Sequence, residues 1–387
     1  MFQIQTSGSR VHFYLFNLHR MGGLVAGLFL LILGVSGSVM AFSGEIDSLL
    51  RPSLFRVVSQ GQPLPLGQLA SSAASVLHPG ESIGTCVPST RADASYSYIV
   101  SGGHDRIPRQ IFVDHYTGRV LGSLSGLRFI TIMKALHSIA GVMGCSSLIL
   151  AFLALSGLYL WWPRKRIKIG LSGNVQRLSF DLHNAIGLFS SLFLLLFAIT
   201  GTYLAFEPLF YAITHSKLVT QPAFSMPKVG LKPVSLDLVA TAAKDILPGA
   251  IVLWIVIPRQ PREAYFAKMR FPEDRSDNGS SMVWIDQFSG KVLAVASSRT
   301  APLGNKIQNM NLLLHTGAAF GNGGRSFAAF VSLILVLLTV TGLQLWWNRR
   351  SSLASVTPAL STQFRGIGGI IGPEGEREGG KSAIEKG

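Results

Sequence analysis

Four histidines, His19, His137, His183 and His315, each stand in a Leu-His pair just before an apolar run, and the runs cover roughly 21–43, 139–162, 184–206 and 327–347. Each run is about as long as the 20 or so apolar residues that a helix needs to cross a bilayer. An ionisable side chain at such an entrance must find a partner or stay near the aqueous boundary. A lone histidine there is ordinarily an interfacial or hydrogen-bonding group, but four at matching positions suggest more. A chain that crosses in alternating directions puts His19 and His183 on one side of the membrane and His137 and His315 on the other. Each same-side pair can hold one iron between opposed imidazoles.

The elements that must position these rings follow from composition. With 48% hydrophobic residues and a mean hydropathy of +0.39 over 387 residues, the chain is too apolar for an ordinary soluble protein. The first run is not a cleavable signal: it is long, it ends in "SGSVMAFSGEIDSLL", and it resembles the third run, which lies too deep to be one. Basic residues follow the second and fourth runs in "WWPRKRIKI" and "WWNRR", and Arg10 and Arg20 precede the first. By the positive-inside rule these ends are cytoplasmic, both termini lie inside, and two large segments face outward. The net charge of +15 is explained by this topology and asks for no nucleic-acid partner.

The spans match in pairs. "LHRMGGLVAGLFLLILGVSGSVMAF" aligns with "LHNAIGLFSSLFLLLFAITGTYLAF", pairing Gly37 with Gly201, and the "SGLYLWWPRK" and "TGLQLWWNRR" exits pair Gly157 with Gly342. The outward segments match as well. "IFVDHYTGRVLG" and "VWIDQFSGKVLA" each read as strand, acidic turn, glycine and strand, with Asp114 and Asp286 accepting turn N–H bonds and Gly118 and Gly290 supplying left-handed backbone. Short amphipathic helices in "LGQLASSAASVLHPG" and "LDLVATAAKDILPG", then strands in "SYSYIVSG" and "AIVLWIVI", complete two small α+β units.

The expected fold is thus an α-helical membrane protein of four transmembrane helices in two helix–domain–helix repeats with two extracytoplasmic α+β domains. The expected order is an N-terminal segment and first helix at 1–43, an outward domain at 44–133, and the second helix at 134–163. A cytoplasmic loop at 164–180 and the third helix at 181–207 follow, then the second outward domain at 208–307. An outer extension with the fourth helix at 308–348 and a glycine-rich, disordered tail at 349–387 end the chain.

The helix entrances, the tryptophan-rich exits and the duplicated hairpins resemble the PepSY-associated transmembrane-helix family, also called iron-regulated inner-membrane proteins, from His19 to Arg350. The resemblance implies a bacterial inner-membrane, haem-containing ferric-siderophore reductase with PepSY-like periplasmic domains. It implies haem b, two per chain, with axial pairs His19/His183 and His137/His315, and a ferric siderophore as acceptor. A membrane quinol or a cytosolic donor would supply electrons, because no G-x-G-x-x-G or P-loop lies between a strand and a helix. No C-x-x-C-H occurs, so the haem would be noncovalent, and the two cysteines, Cys86 and Cys145, form no disulfide framework. No catalytic acid, base or nucleophile is expected.

Two other readings stand beside this one. One is a non-enzymatic PepSY membrane protein that restrains an outward partner such as a peptidase; the other is haem or siderophore handling without electron transfer. His12, His78, His104, His115 and His215 are weaker ligand candidates, and Gly23, Gly27, Gly141 and Gly144 offer close approach to a backbone or a cofactor. Arg20 is an interfacial charge or a propionate partner. Arg106, Arg109, Arg259, Arg262 and Tyr265 are outward groups that can contact an anionic chelate or serve as surface and turn residues. The spacing adds one expectation. His315 precedes Trp346 by 31 residues, about 46 Å of helix, against 24 residues, about 36 Å, from His137 to Trp161. The "GNGG" at 321–324 must bend the chain to bring His315 level.

Overall fold

The structure, a computed structural model, describes residues 7–102, 109–125, 128–163, 174–214, 224–227 and 230–367. Arg106, His104, His215, the basic run after Trp162 and the tail beyond Ile367 lie outside the described residues.

Among the described residues four helices are long and apolar enough to cross a membrane. They belong to α1 (Ser7–Met40), α6 (Ala140–Trp161), α7 (Val175–Ala205) and α11 (Gly321–Ile367). These form a ring in which α1 packs on α6, α6 on α7, α7 on α11 and α11 back on α1. Its core is narrow, formed by Ala26, Leu30, Leu150, Leu194, Ala198, Val331 and Leu335. Most of each apolar stretch faces outward, with Val25, Leu148, Phe189, Leu192 and Phe330 exposed, as suits helices whose solvent is lipid. Helices approach closely at Gly34, against Ser332 and Val336, and at Gly144, against Ala205 and Phe206. Gly23 and Gly141 have no neighbour within 4 Å of a notional Cβ, so they are not packing glycines.

Between α1 and α6 the chain forms α2 (Ser43–Leu50), α3 (Pro52–Phe55), α4 (Leu66–Ala74), β1 (Glu81–Val87), β2 (Tyr96–Gly102), β3 (Arg109–Val113), β4 (Val120–Leu124) and α5 (Phe129–His137). Between α7 and α11 it forms α8 (Glu207–Thr214), α9 (Leu236–Ile246), β5 (Ile251–Val256), β6 (Tyr265–Arg270), β7 (Ser281–Ile285), β8 (Val292–Ala296) and α10 (Leu303–Thr316). Where the sequence suggested two separate α+β units, the strands make one antiparallel sheet in the order β4-β3-β2-β1-β5-β6-β7-β8. The joint is the pairing of Thr85 and Cys86 with Val256 and Ile255. Each unit alone would leave β1 or β5 as an open edge, and pairing satisfies both. A single apolar cluster runs under the sheet beneath α4 and α9. The Asp237 carboxylate of α9 caps α4 by accepting from the backbone of Leu66 at 2.7 Å and Gly67 at 3.0 Å, a further tie across the joint.

Both hairpin turns form as their sequences require. Asp114 accepts from the Tyr116 N–H at 2.9 Å and Asp286 from the Ser289 N–H at 2.7 Å, while Gly118 and Gly290 take φ of 72° and 70°. The last helix differs from its expected end: α11 continues to Ile367, through residues whose composition suggested a mobile tail.

Candidate functional site

His19 and His183 lie inside long helices rather than at their entrances, because α1 begins at Ser7 and α7 at Val175. His137 is the last residue of α5, and His315 lies in the last turn of α10. The chain bends after each of the latter two. Ser138 leaves helical geometry, and Gly317 adopts φ 76° before a 3-10 turn at Ala318–Phe320 and the start of α11 at Gly321. The bend that His315 needs therefore begins at Gly317, ahead of the stretch the sequence singled out, and ends at Gly321, the first residue of that stretch.

Each imidazole rests on a hydroxyl–glycine pair near the far end of a neighbouring helix. His19 Nδ1 lies 2.8 Å from Ser156 Oγ, and its Cε1 lies 3.3 Å from where a Gly157 Cβ would stand. His137 meets Ser36 at 2.9 Å and Gly37 at 3.3 Å. His183 meets Thr341 at 3.0 Å and Gly342 at 3.4 Å, and His315 meets Thr200 at 2.9 Å and Gly201 at 3.2 Å. A side chain at any of these glycines would press on the ring. Thus α6 supports the histidine of α1 and α1 that of α5, while α11 supports the histidine of α7 and α7 that of α10.

Two layers result, one toward the chain termini and one toward the sheet. At the sheet end the rings of His137 and His315 lie with centroids 6.2 Å apart and their planes inclined by 51°. At the terminal end His19 and His183 line one cavity of about 260 Å³ with Phe16, Gly23, Gly187, Trp161 and Trp346. Gly23 and Gly187 follow their histidines by four residues, so they share the histidines' helix face and leave it open beside each ring. Arg20, Arg349 and His12 also line the cavity. The Trp161 Nε1–H is buried without a hydrogen-bond partner among the described residues.

Two neighbouring imidazoles supply two nitrogen donors to a metal centre, and no more. Among the described residues no group of three or more His, Cys, Asp or Glu converges. A bare ion wanting four protein ligands is therefore poorly served. A metal already held by another chelator, needing only two protein nitrogens, would be better served.

The other outward candidates are mostly engaged. Arg109 forms a 2.5 Å ion pair with Glu81 and donates to the Val76 carbonyl at 2.8 Å; its hydrogen bond holds the Glu81 carboxyl below the ordinary carboxylate range. Tyr265 is buried and donates to the Val234 carbonyl at 2.9 Å. Arg259 donates to Ser101 Oγ. His115 is buried and stacked on Tyr96 at 4.4 Å, and burial lowers its pKa; His78 sits 3.7 Å from Glu81. Sequence reasoning missed Ser36, Ser156, Thr200 and Thr341, although a Ser-Gly or Thr-Gly pair recurs in all four spans. Trp161 and Trp346 also line the cavity.

The family model of the PepSY-associated TM region matches residues 16–349, which takes in all four histidines and the whole sheet. Comparison with curated proteins gives no match.

Proposed function

Because the chain belongs to the PepSY-associated TM region family, we propose that it is a multi-pass inner-membrane electron-transfer protein that reduces ferric siderophores, with haem b held by His19/His183 and by His137/His315. The observation that carries this reading is the close approach of two imidazoles, His137 and His315, with centroids 6.2 Å apart. His137 and His315 would hold the haem iron through their ring nitrogens. The same arrangement supports His19 and His183 as ligands through their shared cavity.

The residues around that cavity fit a flat apolar disc with acidic edge groups. Gly23 and Gly187 keep the strip beside each histidine clear. Arg20, Arg349 and the free indole N–H of Trp161 would take the carboxylates. When bound, haem supplies a one-electron carrier whose potential the axial ligands and their surroundings set. The chain's residues bind and orient it, exclude water with the apolar lining, and need no acid–base group of their own.

Arg20, Arg349 and Arg350 at the terminal end support a cytoplasmic position for both termini and a periplasmic one for the sheet. The matched hydroxyl–glycine supports are best read as an internal duplication. The His137/His315 layer then lies nearest the side where a ferric chelate arrives.

The test is to purify the protein, count haem, reduce it anaerobically and add a panel of ferric siderophores. Reoxidation with an equal yield of captured ferrous iron is expected. Stable reduced haem across the panel would sink the reductase reading and favour partner binding, and absence of a reducible b-type spectrum would remove the haem.

A further inference from the structure

The hydroxyls beneath the four histidines are themselves fixed. Ser36 Oγ lies 2.5 Å from the Ile32 carbonyl, Ser156 Oγ 2.7 Å from that of Phe152, Thr200 Oγ1 2.8 Å from that of Leu196 and Thr341 Oγ1 2.8 Å from that of Leu337. A carbonyl oxygen carries no hydrogen, so two oxygens this close must have the hydroxyl hydrogen between them. A hydroxyl has only one. It is therefore committed to its own helix, and toward the imidazole each Ser or Thr oxygen offers a lone pair alone.

The Nδ1 of each histidine must then bring the hydrogen for its contact. A neutral imidazole with its hydrogen on Nδ1 has its lone pair on Nε2. We propose that Ser36, Ser156, Thr200 and Thr341 are positioning residues that lock His137, His19, His315 and His183 in the Nδ1–H tautomer, so that all four present Nε2 as the ligating nitrogen. The proposal rests on the haem reading above.

This arrangement does more than hold a ring. An acceptor on Nδ1–H makes the opposite nitrogen a better donor, and such supports are worth about 10–100-fold in metal affinity. A hydroxyl is a weaker acceptor than a carboxylate, so the four rings keep neutral-imidazole character. Each layer is served by one serine and one threonine, which predicts similar supports in both layers.

The test uses the full-length protein with Thr341→Val, which keeps the shape and removes the oxygen, Thr341→Ser, which keeps the oxygen, and the matching Ser156→Ala and Ser156→Thr pair. Haem content, low-spin EPR g values and the midpoint potential of each haem are measured. Thr341→Val and Ser156→Ala are expected to weaken one haem by about 10–100-fold, raise its potential and move its g values, leaving the other haem unchanged. Thr341→Ser and Ser156→Thr are expected to restore all three. If His19→Ala and His183→Ala remove a haem while Thr341→Val leaves affinity, potential and g values as in the parent, the positioning role is overturned and the ligand assignment stands. If the histidine variants keep both haems, the underlying reading fails instead. Should Ser156→Ala not insert, the isosteric Thr341→Val decides alone.

Discussion

The two histidine layers make the same contact by different means. At the terminal end His19 and His183 sit within the unbroken helices α1 and α7, with backbone ladders on either side. At the sheet end His137 and His315 close short helices, and the chain turns immediately after them. The bundle alone therefore positions the first pair. The second pair also depends on α5 and α10, which lead out of β4 and β8, so a movement of the sheet can reach it directly. The layers differ in room too. Gly23 and Gly187 stand one turn beyond the terminal-end histidines, whereas at the sheet end Gly141 follows His137 but Ala319 follows His315.

On the proposed haem reading, the largest effect expected from breaking this comparison is the loss of a whole haem from one layer. His19→Ala or His183→Ala should each remove one haem equivalent and leave the other, and His137→Ala or His315→Ala should do the converse. Gly23→Leu is more telling, because no atom lies within 4 Å of its notional Cβ and the fold has room for the change. It should fill the terminal-end cavity and displace that haem alone from a normally inserted protein. Pigment analysis with a membrane-insertion assay checks it, and a Gly23→Leu protein with both haems intact would contradict the placement.

A second effect should be confined to the sheet end. Gly317 holds φ 76°, and a Cβ there would run into the Gly324 carbonyl. Left-handed backbone costs a non-glycine residue about 1–2 kcal/mol before any clash is counted. Gly317→Ala should therefore shift α10 against α11, loosen His315 and perturb the sheet-end haem spectrum, while the terminal-end signal stays as in the parent. Equal changes in both signals would show that the layers are not mechanically separate.

Much of this was legible in the sequence, for reasons that differ by region. Apolar length and flanking charge marked the four membrane helices, because lipid leaves few other options for such runs. The Asp114 and Asp286 turns were legible because a side-chain acceptor and a left-handed glycine are local requirements. Sheet continuity was not, since the pairing of β1 with β5 joins residues 85 and 256, and edge pairing leaves no mark in either strand alone. The histidines stood out by type, and their hydroxyl supports did not. Ser156 lies 137 residues from His19, and in an apolar helix a Ser-Gly pair reads first as small-residue packing.

The smallest effect separates the supporting glycines themselves. A Cβ at Gly201 would meet His315 Cε1 at 3.2 Å and also Ser147 Oγ at 3.2 Å; at Gly37 it would meet Ser332 Oγ at 3.1 Å and His137 Cε1 at 3.3 Å. At Gly157 and Gly342 the only neighbours among the described residues closer than about 3.5 Å are the histidine rings, at 3.3 and 3.4 Å. The terminal-end rings can yield by a few tenths of an ångström into the cavity beside them. At the sheet end a second helix, through Ser147 or Ser332, closes that route. Gly201→Ala and Gly37→Ala should therefore carry an overpacking cost of about 1–3 kcal/mol, seen as earlier haem loss on heating. Gly157→Ala and Gly342→Ala should cost less, about 1 kcal/mol or under, and mainly shift the spectrum of the terminal-end haem. Thermal haem-release curves for the four single variants measure this. An equal downward shift in all four would mean that the ring contact alone sets the cost, and the difference between the layers would then lie only in how the chain reaches each histidine.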